Sequence, residues 1–186
     1  MTADADGLDT HPAHPVRAVV ALGANLGDRF ATLQSALDDL AGFEGIRLQA
    51  VSPVVETAPV GGPAQPDYLN AVLLVDTTLS PLGLLAACQQ VESEHGRTRP
   101  VRWGPRTLDL DLIRYDDLVA ASPDLQVPHP RAAERAFVLD PWLAVDPEAT
   151  LPGPDGEHRS VAELLPSAPD REGLRRRPDL TLRAVG

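Results

Sequence analysis

Residues 107–115, TLDLDLIRY, alternate leucine with aspartate before the segment becomes apolar. Successive side chains of a strand point to opposite faces, so the leucines would enter a core while Asp109 and Asp111 project together on the other face. Residues two apart on a strand are about 6.6–7 Å apart along the chain, which forces the two carboxylates into one neighbourhood. The segment therefore predicts a half-buried strand whose two faces are chemically opposite.

Five further segments have the periodicity of regular structure: strands at 17–22, 46–57 and 68–79, and helices at 30–42 and 81–95. Ser80 and Pro81 supply a cap and a first-turn proline for the second helix, and Gly96 supplies its stop. The resulting order is β-α-β-β-α-β, in which two helices cover one face of an antiparallel sheet and leave the other face open. The expected fold class is α+β.

The 186 residues include 43% hydrophobic ones, which fits one compact domain. We assign residues 16–165 to this domain, 1–15 to a disordered leader and 166–186, rich in arginine and proline, to a loose C-terminal tail. The N-terminus lacks the basic start and apolar run of a secretory signal, and no segment approaches the roughly 18 apolar residues of a membrane helix. A cytoplasmic protein is expected.

The charge of the chain restricts its partners. A net charge of −11 disfavours nucleic acid and anionic membranes as partners, because repulsion from their phosphates would be the default. All 16 basic residues are arginine, which excludes a P-loop lysine and a pyridoxal Schiff base. Any phosphate site must use arginine, and four arginines stand in the ten positions before the acidic strand: Arg97, Arg99, Arg102 and Arg106.

Paired carboxylates repel each other unless a cation lies beside them, and Mg²⁺ typically takes one or two carboxylates together with waters and substrate phosphates. Asp109 and Asp111 therefore suit one or two Mg²⁺, although a bare pair of this kind can also line a solvated strand face. The neighbouring arginines favour a polyphosphate clamp, since guanidinium groups bind phosphate oxygens bidentately. For Arg99 and Arg102 a solvated run of charge is the alternative.

Three aromatic residues, Tyr68, Trp103 and Phe137, lie beside polar segments, where they could stack on a flat ring. For each of them core packing is the alternative. His129, in the sequence VPHP, could likewise do no more than fix a turn.

Four segments follow one another along the chain: GANLG, TAPVGGPAQPDYLNAV, GRTRPVRWGPRTLDLDLI and VPHPRAAERAFVL. Together they closely resemble the 6-hydroxymethyl-7,8-dihydropterin pyrophosphokinase family of the folate pathway, over about residues 17–165. RWGPRTLDLDL and PDYLN are the most specific parts of the resemblance. It implies a ferredoxin-like α+β fold and transfer of the β,γ-diphosphate of ATP to the hydroxymethyl group of the pterin, with release of AMP.

The resemblance also implies roles for individual residues. Asp109 and Asp111 would bridge two Mg²⁺ to the phosphates of ATP. The pterin pocket would contain Thr57, Ala58, Val60, Tyr68, Asn70, Trp103 and Phe137. The contacts to ATP would come from Gln89, Glu92, Arg97, Arg99, Arg102, Arg106, His129 and Arg135. Of these, Arg97, Arg106 and His129 would be catalytic, and no strong base is required, because diphosphoryl transfer depends mainly on alignment and charge neutralisation.

Three other functions are compatible with parts of the sequence. A ferredoxin-like module for single-stranded RNA would need exposed aromatic residues and a basic sheet face, which the aspartate pair opposes. A regulatory small-ligand domain of the same topology would not need that pair. A two-metal phosphohydrolase could use the aspartates and arginines, and only Tyr68, Asn70, Trp103 and Phe137 argue against it.

Overall fold

The computed structural model describes residues 7–59, 62–96 and 107–184, which form strands and helices in an α+β arrangement. The strands are β1 (Val16–Ala24), β2 (Ile46–Val51), β3 (Val55–Thr57), β4 (Tyr68–Thr77), β5 (Asp109–Tyr115), β6 (Ala120–Ala121), β7 (Gln126–Val127), β8 (Thr150–Pro152), β9 (His158–Ser160) and β10 (Arg175–Arg176). The helices are α1 (Arg29–Ala41), α2 (Pro81–Glu94), α3 (Ala136–Val145) and α4 (Val161–Leu164).

The main sheet is antiparallel and has β1 at its centre, between β4 and β5. The other edge of β4 is shared, because β3 pairs with residues 68–70 and β2 pairs with residues 73–77. The strand predicted over 46–57 is thus divided in two around Pro53. Ser52 keeps contact with β4 across this break, since its amide donates to the Val72 carbonyl at 2.9 Å and its hydroxyl accepts from the Val72 amide at 2.8 Å.

One face of the sheet packs against α1 and α2, as predicted. The Asp28 side chain caps α1 by accepting a hydrogen bond from the Ala31 amide, and the Ser80 hydroxyl caps α2 by accepting one from the Gly83 amide. Leucines and small residues of both helices are buried against alternate residues of the strands. Cys88 of α2 belongs to this core, where burial raises the pKa of its thiol to about 12.

The other face of the sheet is not open, contrary to the prediction. Its side chains are buried beneath α3, α4 and the residues that follow them, in a second core that includes Val19, Val72 and Ile113. The sequence of α3, AFVLDPWLAV, is apolar on nearly all sides, and Leu139 and Trp142 are fully buried. A helix of this composition must be covered, and the apolar sheet face covers it.

The two terminal segments also differ from the predictions. Within the predicted leader, Leu8 is 1% exposed and joins the first core, and its carbonyl accepts a hydrogen bond from the Leu82 amide at 3.0 Å. Within the predicted loose tail, β10 pairs with β3, and Leu182 is 7% exposed in the first core. Residues 1–6 of the leader lie outside the described residues. Both segments are held by contacts that are distant in sequence, which local composition does not reveal.

In the described ranges, no helix has both the length and the apolar character required to cross a membrane.

The packing of Leu8 gives a test of the N-terminal segment. Replacing Leu8 with alanine should lower the free energy of unfolding by about 2–5 kcal/mol, because a fully buried leucine would leave a cavity in the first core. The neighbouring Asp9 is exposed, so Asp9→Ala should stay within about 0.5 kcal/mol of the wild type. Urea denaturation measures both values. Equal stability of Leu8→Ala and wild type would show that the segment does not pack in solution.

Candidate active site

A cleft lies at the end of the second sheet face, where α3 no longer covers the strands. Cross-strand pairing sets its floor, because Gly23 of β1 lies opposite Asn70 of β4 on one side and Asp109 of β5 on the other. Two residues along β1, Ala21 lies between Val72 and Asp111. The amide and the two carboxylates are therefore brought to one place by strand register alone.

The residues that line the cleft come from five parts of the chain. Eight of them belong to the predicted site: Thr57, Ala58, Tyr68, Asn70, Asp109, Asp111, Arg135 and Phe137. Pro59 lies between the predicted residues Ala58 and Val60, and sequence reasoning missed eight others: Ala21, Leu22, Gly23, Gln65, Arg131, Glu134, Pro169 and Asp170. Gly23 begins the segment GANLG, and Arg131 and Glu134 lie in the segment VPHPRAAERAFVL, so the motifs of the sequence lay close to these residues. Pro169 and Asp170 lie in the segment that was predicted to be a loose tail, where no motif pointed to them.

Asn70 is the best-fixed polar group of the cleft floor. It is 5% exposed, and its side-chain nitrogen donates to the Thr57 hydroxyl at 2.9 Å. A Cβ atom on Gly23 would lie 2.9 Å from the Asn70 side-chain oxygen and 3.7 Å from the Tyr68 ring. Glycine is thus required at position 23 for this approach, and the amide and the ring share the space that a larger residue would fill.

Another wall of the cleft is formed by the start of α3, through Phe137, and by Arg135 directly before it. The Arg135 guanidinium lies 5.5 Å from the centroid of the Phe137 ring and also donates to Asp111 Oδ2 at 3.3 Å. Arg135 therefore contacts both the aromatic wall and the carboxylate pair. A guanidinium in this position balances part of the negative charge that Asp111 brings to the cleft.

His129 lies next to the same carboxylate. Its backbone amide donates to the Ile113 carbonyl at 2.9 Å, which places the ring beside β5, and its Nε2 lies 3.9 Å from Asp111 Oδ2. The Arg131 amide donates to His129 Nδ1 at 3.2 Å, so Nε2 carries the proton of the neutral ring. Burial, followed by the charge of Arg135, lowers the pKa of His129 to about 4. At neutral pH the ring is thus a neutral hydrogen-bond donor through Nε2.

Gln89 and Glu92 of α2, both predicted to contact ATP, do not line the cleft. Glu92 is 2% exposed, and its carboxylate accepts a hydrogen bond from the Leu110 amide at 2.7 Å, so it holds β5 between the two aspartates. Gln89 is exposed, and neither residue is among those that line the cleft. The predicted contacts of both with ATP stay predictions.

Six predicted site residues lie outside the described residues: Val60, Arg97, Arg99, Arg102, Trp103 and Arg106.

The sequence is similar to known proteins over most of its length. Residues 19–147 match the family model described as 7,8-dihydro-6-hydroxymethylpterin-pyrophosphokinase (HPPK). The 2-amino-4-hydroxy-6-hydroxymethyldihydropteridine pyrophosphokinase of Pseudomonas aeruginosa is 44% identical over 162 residues, which cover 87% of this chain and 97% of that protein. The protein of the same name from Mycobacterium tuberculosis is 45% identical over 172 residues, with coverage of 86% and 88%.

Longer proteins contain a similar part. The folic acid synthesis protein fol1 of Schizosaccharomyces pombe is 42% identical over 158 residues, and the match spans 85% of this chain but 21% of that protein. A solved structure of wild-type Plasmodium falciparum HPPK-DHPS has a TM-score of 0.62 at 12% identity and covers 87% of this chain, which spans 46% of that one. At this identity the likeness concerns the fold, and it agrees with the predicted ferredoxin-like arrangement.

The close approach of Gly23 to Asn70 can be tested by a double-mutant cycle. Gly23→Ala should destabilise the protein by about 1–3 kcal/mol, because the new methyl group overlaps the Asn70 side-chain oxygen. In an Asn70→Ala background the same change should cost less than about 1 kcal/mol, since the overlapping atom is gone. Denaturant unfolding of the four proteins gives the coupling. An equal cost in both backgrounds would mean that the Asn70 side chain does not require glycine at position 23.

Proposed function

The chain belongs to the 7,8-dihydro-6-hydroxymethylpterin-pyrophosphokinase family, and we propose that its cleft joins the β,γ-diphosphate of ATP to the hydroxymethyl group of 6-hydroxymethyl-7,8-dihydropterin. The products would be AMP and the pterin diphosphate. The family, the enzyme class and the place in folate biosynthesis that the sequence predicted are confirmed. The observation that carries the residue-level proposal is the row formed by Asn70, Gly23 and Asp109, in which the Asn70 amide lies one strand away from the first of the two carboxylates.

We assign the dihydropterin to the space between Tyr68 and Phe137. Both aromatic side chains line the cleft, and the buried Asn70 amide lies at its floor. Aromatic faces suit a flat heterocycle, and an amide can both donate to and accept from the polar edge of a pterin. Thr57 and Ala58 border the same space, and Thr57 also holds Asn70 in place. Val60 and Trp103 stay predicted members of this pocket.

We propose that Asp109 and Asp111 hold Mg²⁺, and the chemistry of the donors fits that ion. Two carboxylates project from one strand face, and no group of three or more histidine, cysteine, aspartate or glutamate side chains that could hold a metal occurs among the described residues. Such a site leaves most of the coordination to water and substrate phosphates, as Mg²⁺ prefers. When bound, Mg²⁺ neutralises charge on the phosphate oxygens. The sequence predicted two ions, and the aspartate pair can serve one or two.

Arg135 and His129 are the described groups best placed to contact the phosphates. Arg135 approaches Asp111 within 3.3 Å, and a guanidinium there can bind phosphate oxygens bidentately. His129 presents its Nε2 proton toward the same region and would donate it in a hydrogen bond to a phosphate oxygen. Positioning and charge neutralisation of this kind account for most of the catalysis of phosphoryl transfer. Arg97, Arg99, Arg102 and Arg106 stay predicted contacts of ATP.

Membership of the family argues against the RNA-binding module and the regulatory ligand domain considered above. The net charge of −11 supports the prediction that nucleic acid and membranes are not partners. The two substrates, ATP and the dihydropterin, are the partners that we propose. We also propose the cytoplasm as the place of the reaction, because ATP is the co-substrate.

The proposal predicts a specific nucleotide product. The protein mixed with Mg²⁺, ATP and 6-hydroxymethyl-7,8-dihydropterin should produce AMP only when the pterin is present, and Asp109→Asn should lower kcat by at least about 100-fold, since it removes one charge from the metal site. Separation of AMP, ADP and ATP by chromatography measures both effects.

A matched control for this test is Asp76→Asn. Asp76 is also an aspartate on a strand of the main sheet, at the opposite end of β4 from Asn70, and it pairs with Arg17 at the surface. Its loss should leave kcat within about twofold, because exposed ion pairs contribute little. ADP formed without the pterin would identify a phosphohydrolase, and equal activity of Asp109→Asn and wild type would remove Asp109 from the mechanism.

A further inference from the structure

The segment 169–177 follows α4 and runs between the two walls of the cleft. Pro169 and Asp170 line the cleft directly, residues 171–173 form a 3₁₀ turn, and β10 then joins the edge of the main sheet at β3. We call residues 169–177 the C-terminal clasp. None of its residues belongs to the site predicted from the sequence.

The C-terminal clasp holds the wall that carries Phe137. Asp170 Oδ1 accepts a hydrogen bond from the Ala136 amide at 2.7 Å, although the two residues are 34 positions apart. The residue before the helix, Arg135, makes no side-chain capping bond, so the cap of α3 comes from Asp170. A carboxylate at this position satisfies an amide that has no partner within the helix and interacts favourably with the helix dipole.

A second contact holds the same helix further along. The Arg176 guanidinium binds the Asp140 carboxylate in two places, with Nε 3.1 Å from Oδ2 and Nη2 2.8 Å from Oδ1. Asp140 lies one turn after Ala136 on α3, so the C-terminal clasp touches the helix at two successive turns. Bidentate pairs of this type fix orientation more strongly than single contacts do.

The C-terminal clasp also holds the wall that carries Tyr68. The main chain of Arg175 pairs with Glu56 of β3, and its side chain contacts the Asp67 carboxylate at 2.8 Å, directly before Tyr68. Arg177 contacts Glu56 at 2.9 Å. Burial alone would raise the pKa of Glu56, but hydrogen bonds from Arg29 and Arg177 outweigh burial and lower it.

Arg29 completes this connection from the other side. Its guanidinium contacts Glu56 at 2.8 Å and the Asp67 carbonyl at 2.7 Å. Glu56 directly precedes Thr57, and Asp67 directly precedes Tyr68. The arginines that contact Glu56 and Asp67 therefore fix the main chain next to these two cleft residues. One continuous segment is thereby joined to both aromatic walls.

We infer that the C-terminal clasp positions the two walls of the dihydropterin pocket, and that Asp170 is a positioning residue that fixes Phe137 through the Ala136 amide. A ring that stacks between two aromatic faces requires a defined gap between them, and the two faces here belong to elements that are distant in sequence. Holding both faces before the substrate arrives lowers the cost of ordering them on binding. The inference rests on the proposed function of the cleft.

The test compares Asp170→Ala with Asp170→Asn. Alanine removes the acceptor for the Ala136 amide, whereas asparagine keeps a side-chain oxygen and caps helices about as well as aspartate. We expect Asp170→Ala to raise the KM for the dihydropterin, and the Kd for oxidised 6-hydroxymethylpterin in a fluorescence titration, by about 3- to 30-fold, the range reached when the stability that a helix cap contributes is lost from the binding-competent position of the wall. The KM for ATP should rise less, and Asp170→Asn should restore most of the affinity.

Two further variants sharpen the test. Asp155→Ala is the matched control, because Asp155 also accepts a backbone hydrogen bond, from the Glu157 amide at 3.1 Å, but lies in the turn between β8 and β9 and does not line the cleft. It should leave the pterin Kd unchanged. Arg175→Ala acts on the opposite wall, and since Arg175 is 63% exposed we expect a smaller rise of about two- to fivefold in the same Kd.

The outcomes separate the inference from the function on which it rests. A wild type that neither binds the pterin nor forms AMP would overturn the proposed function together with the role of the C-terminal clasp. If the wild type is active, and Asp170→Ala and Arg175→Ala lower the melting temperature but leave pterin affinity within about twofold, the clasp only stabilises the fold and the inference fails. If Asp170→Ala does not fold, Arg176→Ala, which removes the second contact to α3, decides for the wall of Phe137, and Arg175→Ala decides for the wall of Tyr68, by the same criterion.

Discussion

The pairing register of β1 with its two neighbours is the constraint on which the site depends. It places Gly23 between Asn70 and Asp109, and Ala21 between Val72 and Asp111. Because side chains alternate along a strand, a shift of one residue on β5 would bury the aspartates among the helices and expose the leucines. The burial of the leucines of β5 in the first core thus fixes the direction in which the carboxylates project, and the same contacts that stabilise the sheet define the chemistry at its end.

The charges of the cleft are balanced locally rather than by the surface as a whole. In a chain with a net charge of −11, Arg135 and a neutral His129 both lie beside Asp111. The low pKa of His129, caused first by burial and then by Arg135, keeps the imidazole from adding a positive charge of its own. A neutral donor, a guanidinium and two carboxylates within one small region can accommodate a cation together with a polyphosphate. The overall acidity of the protein is therefore compatible with binding an anion.

The sequence revealed the parts of this arrangement that depend on local periodicity. The alternation in TLDLDLIRY placed Asp109 and Asp111 on one face, and the capped helices and their strands gave the antiparallel α+β core. The covering of the second sheet face was missed, because the apolar composition of the segment around Trp142 gives no indication of where that segment packs. Glu92 illustrates the same limit. The resemblance implied a contact with ATP for Glu92 as for Gln89, and only the tertiary fold shows that the Glu92 carboxylate is buried against the Leu110 amide.

The C-terminal clasp shows why composition misled at the end of the chain. A segment rich in arginine and proline has the composition of a disordered tail, because it contains few apolar residues to bury. Here its order comes from acids far away in sequence, among them Glu56 and Asp140, and from the β10 ladder. Each exposed ion pair contributes little when taken singly. Here several ion pairs act on one short strand that is already paired with β3. The conformational entropy of this segment is lost only once for all of them, so together they can hold the segment in place where a single ion pair would not. Arginine without lysine suits this task, since planar guanidinium groups bind carboxylates in two places at once.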